Sequence, residues 1–175
     1  MLTAPTVITA PVGDVLQLDT IKLFLRVDGD ELDAEIQGYA AGVVADIEQM
    51  TGTRLIEQVV EIRADRFGDL QHLQVGPVIS VSSITYEDIE GVAQTLSTDV
   101  YELFGAALDQ GIRTRVGAAW PNVRAASSVI TARLRVGYAT LPPDLTLAVL
   151  LAIRARYDGA AVDLPMLTIN HRIWG

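Results

Sequence analysis

The chain has 175 residues, half of them hydrophobic, so it is long and apolar enough for one folded domain with its own core. It contains no cysteine, which excludes a disulfide framework and a thiolate metal site. Its net charge of −9 argues against a basic surface that would hold nucleic acid. The longest dense apolar run, 145–153, is too short to cross a bilayer.

The first third of the chain predicts a short helix followed by a long one. Residues 1–17 predict irregular structure. A short helix is expected over 20–26, with Asp19 as its N-cap. After a turn, Asp30 is the predicted N-cap of a long helix, and Gly52 is the residue that ends it.

The long helix carries two different faces. One face is apolar at spacings of three or four residues: Leu32, Ile36, Tyr39, Val43, Ile47 and Met50. A second face carries small residues: Gly38, Ala41, Gly42 and Ala45. Glycine inside a helix costs about 1 kcal/mol relative to alanine, so these residues indicate the close approach of another helix or subunit. The alternative is that the glycines are merely tolerated.

From Leu55 onward the period of the apolar residues changes to two, which is typical of strands. The segment 77–86 is rich in β-branched residues, and more short strands are expected towards residue 138. We therefore predict an α+β fold: a helical core, formed by parts 19–52 and 142–158, with an antiparallel β-unit inserted at about 54–138. Residues 1–159 are expected to form a single domain.

The C-terminal helix is predicted to begin at Pro143, which suits the first helical position because it lacks the backbone donor. Residues 145–153 leave almost no polar face, and such a helix must be buried on more than one side. In so small a domain, neighbouring subunits would provide that burial. Together with the small residues of the long helix, this predicts a subunit interface of Gly38, Ala41, Gly42, Ala45, Leu147, Leu150 and Leu151.

Residues 160–175 are predicted to form an extended tail that is too apolar for a solvated terminus. Another surface should cover it, either a partner protein or, as the alternative, its own subunit or the next one. The predicted contact residues are Leu164, Met166, Leu167, Ile169, His171, Arg172, Ile173 and Trp174. Trp174 is the expected anchor, because buried aromatic side chains dominate many interfaces.

No residue pattern predicts catalysis, a metal site or a cofactor site. The acidic turn that starts at Asp28 superficially resembles a calcium loop. However, Asp33 stands where an EF-hand needs glycine, and Tyr39 stands where it needs glutamate. The two histidines, His72 and His171, lie far apart in sequence, and no activated nucleophile motif accompanies them. The chain is therefore not expected to be an enzyme.

Three blocks of residues carry a family resemblance through their order and spacing. The first is Lys22, Leu25-Arg26-Val27-Asp28, Asp33, Ile36, Ala40-Ala41, Ile47-Glu48, Thr51-Gly52, Arg54-Leu55 and Gln58. The second is Pro77-Val78-Ile79-Ser80-Val81-Ser82-Ser83-Ile84-Thr85-Tyr86, with Asp88, Gly91, Leu96 and Tyr101. The third is Trp120-Pro121, Val136-Gly137-Tyr138, Pro142-Pro143 and the alanine-rich helix that ends at Tyr157. In these blocks the chain resembles the head–tail connector, or adaptor, proteins of tailed phages and gene-transfer particles, in the branch whose helical core carries a β-insertion.

This resemblance implies a structural virion protein in the particle neck, assembled in the host cytoplasm, with no catalysis and no membrane contact. Such proteins form a ring, usually dodecameric, that binds the portal, extends the DNA channel and offers a docking surface for a stopper or tail-completion protein. DNA would pass an acidic lumen without specific binding, because like charges repel. The tail 160–175 is then expected to dock on the portal. The alternatives are another neck ring, such as a stopper or tail terminator, or a cellular acidic binding or enzymatic domain.

Overall fold

The computed structural model describes residues 1–173 and has an α+β fold with a sheet inserted among helices, which confirms the predicted fold class. The helices are α1 (Leu18–Leu25), α2 (Asp33–Thr51), α3 (Pro143–Asp158) and the short α4 (Leu164–Leu167). The strands are β1 (Thr6–Thr9), β2 (Gln58–Ala64), β3 (Val78–Glu87), β4 (Ala93–Thr95), β5 (Tyr101–Ala106), β6 (Asp109–Thr114) and β7 (Ile130–Val136). Two 3-10 turns cover Phe67–Gln71 and Ile169–His171.

The long helix ends where predicted but begins later. Gly52 adopts a left-handed conformation (φ 74°) and its N–H bonds to the Glu48 carbonyl, as expected of a C-cap. The predicted Asp30 cap is wrong, because α2 starts at Asp33 with no side-chain cap. Asp33 lies in the positive first turn of α2, and its Oδ1 lies 2.6 Å from Lys22 Nζ of α1. This ion pair joins the two helices at the turn between them.

The Asp19 cap is also wrong. Helix α1 begins at Leu18, preceded by Gln17 without a side-chain cap, so Asp19 lies inside the first turn. Its carboxylate still suits the positive end of the helix dipole there. The difference is a shift of two residues, a scale on which helix ends are hard to define.

Five antiparallel strands form the main sheet in the order β1-β2-β7-β3-β4. In the centre, Val60 pairs with Leu134 and Ile62 pairs with Ala132. These inward residues are buried, whereas their neighbours along β7, Arg133 and Arg135, point outward and are exposed. The period of two in the sequence therefore separates a core face from a charged face. Strands β5 and β6 form a separate hairpin.

The prediction that residues 1–17 are irregular is wrong for Thr6–Thr9, which form edge strand β1 against β2. All four residues of β1 are exposed, so the strand leaves no alternation of buried and exposed positions for sequence to reveal. Its β-branched composition, Thr-Val-Ile-Thr, is the signal that favours a strand.

Two separate clusters of buried residues stabilise the chain. The sheet cluster lies between the main sheet and the β5–β6 hairpin and includes Leu70, Ile84, Ile112 and Leu134. The helical cluster joins α1, α2, α3 and Leu164 of α4. The helical lobe, defined here as helices α1 to α4, therefore has its own core beside the sheet.

The segment after Gly159 is only partly extended. It contains α4 and the second 3-10 turn, and Asp163 caps α4 by accepting a hydrogen bond from Met166 N at 3.2 Å. This arrangement turns the tail back along α3 towards the end of α2. Trp174 lies outside the described residues.

Candidate interaction surfaces

Helix α3 is buried on three sides by its own chain, as its nearly uniform apolar sequence requires. Leu145, Leu150 and Ile153 are all buried, and Leu150 is only 9% exposed. Leu147 differs, because half of its surface is exposed. Of the three leucines predicted at a subunit interface, Leu150 therefore belongs to the core. Leu147 and the partly exposed Leu151 lie one turn apart on the outward face.

Leu151 lies beside apolar residues of the tail, and Leu147 precedes it by one turn of α3. Leu151, Val162, Met166 and Leu167 line a shallow groove of about 380 Å³. We call Leu147, Leu151, Val162, Met166 and Leu167 the leucine patch. Four of these five side chains are exposed large hydrophobic residues, and Leu151 is half-buried. Contiguous exposed apolar residues of this kind mark interaction sites.

One strip along the outward face of α2 carries only small residues over three turns, beside exposed polar residues such as Gln37 and Asp46. Ala34, Gly38, Ala41 and Ala45 are all exposed and lie at helical spacing, and we call them the small-residue face. The interior face, with Ile36, Val43 and Ile47, points into the helical core. Exposed helix faces normally carry charged or polar residues, so this composition indicates a face prepared for contact.

The two glycines of α2 have different surroundings. A Cβ added at Gly42 would lie 2.3 Å from the Arg156 Nη1 atom, so the missing side chain leaves room for this guanidinium. Arg156 uses that room to pair with Asp46 of α2. At Gly38 no atom lies within 4 Å of the added Cβ. Gly42 thus serves contact within the chain, and the chain's own packing does not explain Gly38.

The tail is held against the rest of the chain by specific contacts. Leu164 is buried in the helical cluster, and the buried Thr168 hydroxyl donates to the Leu164 carbonyl at 2.9 Å. Ile173 N donates to the Thr51 carbonyl at 2.7 Å, beside Gly52. This part of the tail covers the end of α2.

A second anchor joins the tail to the start of α3. His171 Nε2 lies 2.6 Å from Asp144 Oδ2, and His171 Nδ1 lies 3.3 Å from the Tyr138 hydroxyl. The hydrogen bond with His171 holds the pKa of the Asp144 carboxyl below its ordinary value. Burial raises the pKa of the Tyr138 hydroxyl, and the nearby Asp144 charge adds to that effect. No local pattern in the sequence predicts that these three residues meet, since Tyr138 and His171 lie 33 positions apart.

The structure separates the residues predicted to touch the portal into two groups. Met166 and Ile169 are 67% and 51% exposed, and Leu167 and Arg172 are exposed as well. Leu164 is buried, and His171 and Ile173 are half-buried in contacts with their own chain. The residues of the first group are exposed, so contact with another protein would not require the tail to rearrange.

Charge is distributed unevenly along the chain. Residues 14–35 carry seven carboxylates and two bases, which makes five of the nine net negative charges. These residues surround α1 and the start of α2. Among residues 1–173 no group of three or more histidine and carboxylate side chains is placed to hold a metal ion. No helix in that part of the chain is long and apolar enough to cross a membrane.

A cleft of about 250 Å³ lies between residues 11–16, α1 and α2. Its lining is mainly apolar, and the one carboxylate on it is Asp14. An active site needs several polar groups that converge on one point. The lining of this cleft offers no such set.

Comparison with known protein families gives no matching family model, and no curated protein matches the chain. Solved structures match it over nearly its whole length. A chain from the virion of a native gene transfer agent particle is 26% identical, with a TM-score of 0.79, and the match covers 99% of this chain and 97% of that one.

Two further matches come from the necks of such particles. A chain from the neck of an empty particle, computed with C6 symmetry, is 19% identical with a TM-score of 0.79 over 99% of this chain and 97% of that one. A chain from the neck of a native particle, computed with C12 symmetry, is 23% identical with a TM-score of 0.68 over 96% of both chains. The chain therefore shares the complete fold of these particle chains.

Proposed function

We propose that this protein is a structural component of the neck of a phage-like particle of the gene-transfer-agent kind. The observation that carries the proposal is the match over 99% of the chain to a virion chain with 26% identity and a TM-score of 0.79. The protein would be assembled in the host cytoplasm and remain in the finished virion.

Within the neck, we propose the role of a head–tail connector, or adaptor, that forms a closed ring, with twelve copies as the expected number. The C6 and C12 symmetry of the matching neck structures supports a cyclic arrangement. The three sequence blocks that resemble connector proteins support the same role. The ring would bind the portal on one side and a stopper or tail-completion protein on the other.

The exposed part of the tail is our candidate for portal contact. Ile169 and Arg172 are exposed beyond the leucine patch and offer an apolar side chain with a positive charge beside it. Leu164, His171 and Ile173 would hold the tail in position, because they contact their own chain. Trp174 follows directly in sequence and stays a predicted anchor.

The ring would conduct DNA without holding it. A chain with a net charge of −9 repels phosphates and releases few counterions on contact with DNA. We therefore expect no gel-shift of duplex DNA by micromolar protein at about 150 mM salt, near physiological ionic strength. Sub-micromolar binding under these conditions would contradict a passive channel.

Immunogold electron microscopy of purified particles tests the proposed location. An antibody raised against this chain should place its label at the junction of head and tail in intact particles. Particles without this gene provide the control for antibody specificity. Label on the capsid surface or the distal tail, or a chain that is absent from purified particles, would contradict a neck protein.

A further inference from the structure

We propose that neighbouring copies join head to tail, with the leucine patch of one copy seated on the small-residue face of the next. This inference rests on the proposed function, in which copies of the chain close into a ring. A cyclic ring of more than two copies needs two different, complementary surfaces on each subunit. The helical lobe presents two such surfaces, on α3 with α4 and on α2.

The two surfaces match in shape and spacing. Leu147, Leu151 and Arg154 follow one another at steps of four and three residues on the outward face of α3. Ala45, Ala41 and Gly38 follow at the same steps when α2 is read backwards. Two antiparallel helices would therefore place each large side chain opposite a small one. This arrangement also gives Gly38 a role, since its own chain leaves the space above it open.

Charged residues also flank the two surfaces. The segment 28–35 at the start of α2 contains five carboxylates and no base. Arg154 borders the groove of the leucine patch, and Arg172 lines an adjoining groove together with Met166. In the antiparallel arrangement Arg154 approaches the acidic start of α2 on the neighbouring copy.

The carboxylates beside the leucine patch already have partners within the chain. Asp158 Oδ2 lies 3.3 Å from Arg154 Nε, and Asp163 caps α4. Because Arg154 and Asp158 neutralise each other, charge does not select the orientation, which rests on the spacing of large and small side chains. The occupant best suited to the leucine patch is a second copy of this chain.

The absence of cysteine permits a clean disulfide test. Two full-length variants, Ala41→Cys and Leu151→Cys, are prepared with tags of different mass, mixed and exposed to a mild oxidant. The expected result is a mixed dimer that exceeds either same-variant dimer several-fold. Ala41→Cys mixed with Val116→Cys is the matched control, because Val116 is fully exposed in a loop away from both surfaces.

Each possible result supports or contradicts the head-to-tail pairing. Dimers of Ala41→Cys with itself or of Leu151→Cys with itself, equal to or above the mixed product, would overturn the head-to-tail pairing. Rings visible by electron microscopy without a mixed disulfide would also overturn it, and would leave the proposed neck function standing. A further variant, Gly38→Leu, should fold normally by circular dichroism and lower the mixed product of the cysteine pair several-fold. An unchanged yield with Gly38→Leu would contradict close contact at α2.

Discussion

The outward face of the sheet and the outward faces of the helical lobe are built from different residues. On the sheet, Arg133 of β7 lies 3.1 Å from Glu61 of β2, and Arg135 pairs with Glu57. These ion pairs join β7 to β2 and to Glu57 just before it, so opposite charges neutralise each other at the solvent surface. On α2 and α3 the outward faces carry, beside their charged residues, a strip of alanine and glycine and the leucines of α3. The charged face of β2 and β7 is thus suited to contact with solvent, whereas the helical lobe presents surfaces suited to contact with another protein.

This contrast indicates that different residues of one domain serve its stability and its assembly. Both the sheet and the helical lobe have buried clusters, so neither region needs a partner to hold its core. The residues of the helical lobe that face outward are free to serve assembly. Substitutions on the two sides of one helix should therefore have different consequences.

The largest effect is expected in a pair of substitutions on α3. Leu145→Ala removes a fully buried side chain and should lower the free energy of unfolding by about 2–5 kcal/mol. Leu147→Ala changes a half-exposed side chain and should change it by no more than about 0.5 kcal/mol. Urea unfolding of the two variants measures the difference. Equal losses would mean that Leu147 serves the chain's own core.

The next effect concerns the tail. A chain that ends at Gly159 loses the buried Leu164, whose burial is worth about 1.5–3 kcal/mol. Since about 1 kcal/mol corresponds to about 2–4 °C in a domain of this size, the melting temperature should fall by several degrees.

Point variants serve as a matched control for the tail. Leu164→Ala should reproduce most of the loss, whereas Met166→Ala, at an exposed position, should not. A shortened chain with an unchanged melting temperature would show that the tail acts only on other proteins.

A smaller effect distinguishes the two glycines of α2. Gly38→Ala adds a methyl group into open space and should raise the free energy of unfolding by up to about 1 kcal/mol through helix propensity. Gly42→Ala forces the Arg156 guanidinium to move and should gain less. Chemical unfolding of both variants gives the comparison. Equal gains would contradict the argument that Gly42 is kept small for the Arg156 guanidinium.

The smallest effect is expected at the anchor of the tail. The pKa of Asp144 is lowered in the folded chain by its hydrogen bond with His171, so this contribution to stability is present at neutral pH. It is lost as pH falls below about 4, where the unfolded carboxyl takes up its proton, and on through the lower folded pKa. Asp144→Asn should therefore cost at most about 1 kcal/mol near pH 7, as expected of an exposed pair.

The pH dependence provides the check on Asp144→Asn. The difference in melting temperature between wild type and variant should shrink as the pH is lowered towards 3. A difference that stays constant from pH 7 to pH 3 would mean that the Asp144 charge does not hold the tail.

Regular periodicity made much of the helical lobe predictable. The buried face of α2, the Gly52 end and the start of α3 at Pro143 follow from local patterns that the structure retains. Caps were harder to predict, because Asp19, Asp30 and Asp33 are all chemically able to cap. None of these three caps its helix in the structure, and Asp33 instead reaches Lys22 of α1.

Long-range contacts set the limit of sequence reasoning. The return of the tail depends on Asp144 and Tyr138 meeting His171, which no local spacing reveals. The role of Gly42 depends on Arg156, more than a hundred positions later. Sequence could identify the small residues of α2 as unusual, but only the packing separates Gly38 from Gly42.

Cryo-electron microscopy of this protein bound to its portal, viewed end-on, tests the central claim most directly. We expect a closed cyclic arrangement in which α2 of each copy meets α3 of its neighbour. The paired arginines and glutamates of β2 and β7 should then remain in contact with solvent. A cyclic ring whose copies touch through this charged sheet face, or bound copies without cyclic symmetry, would contradict the assignment of the helical lobe to assembly.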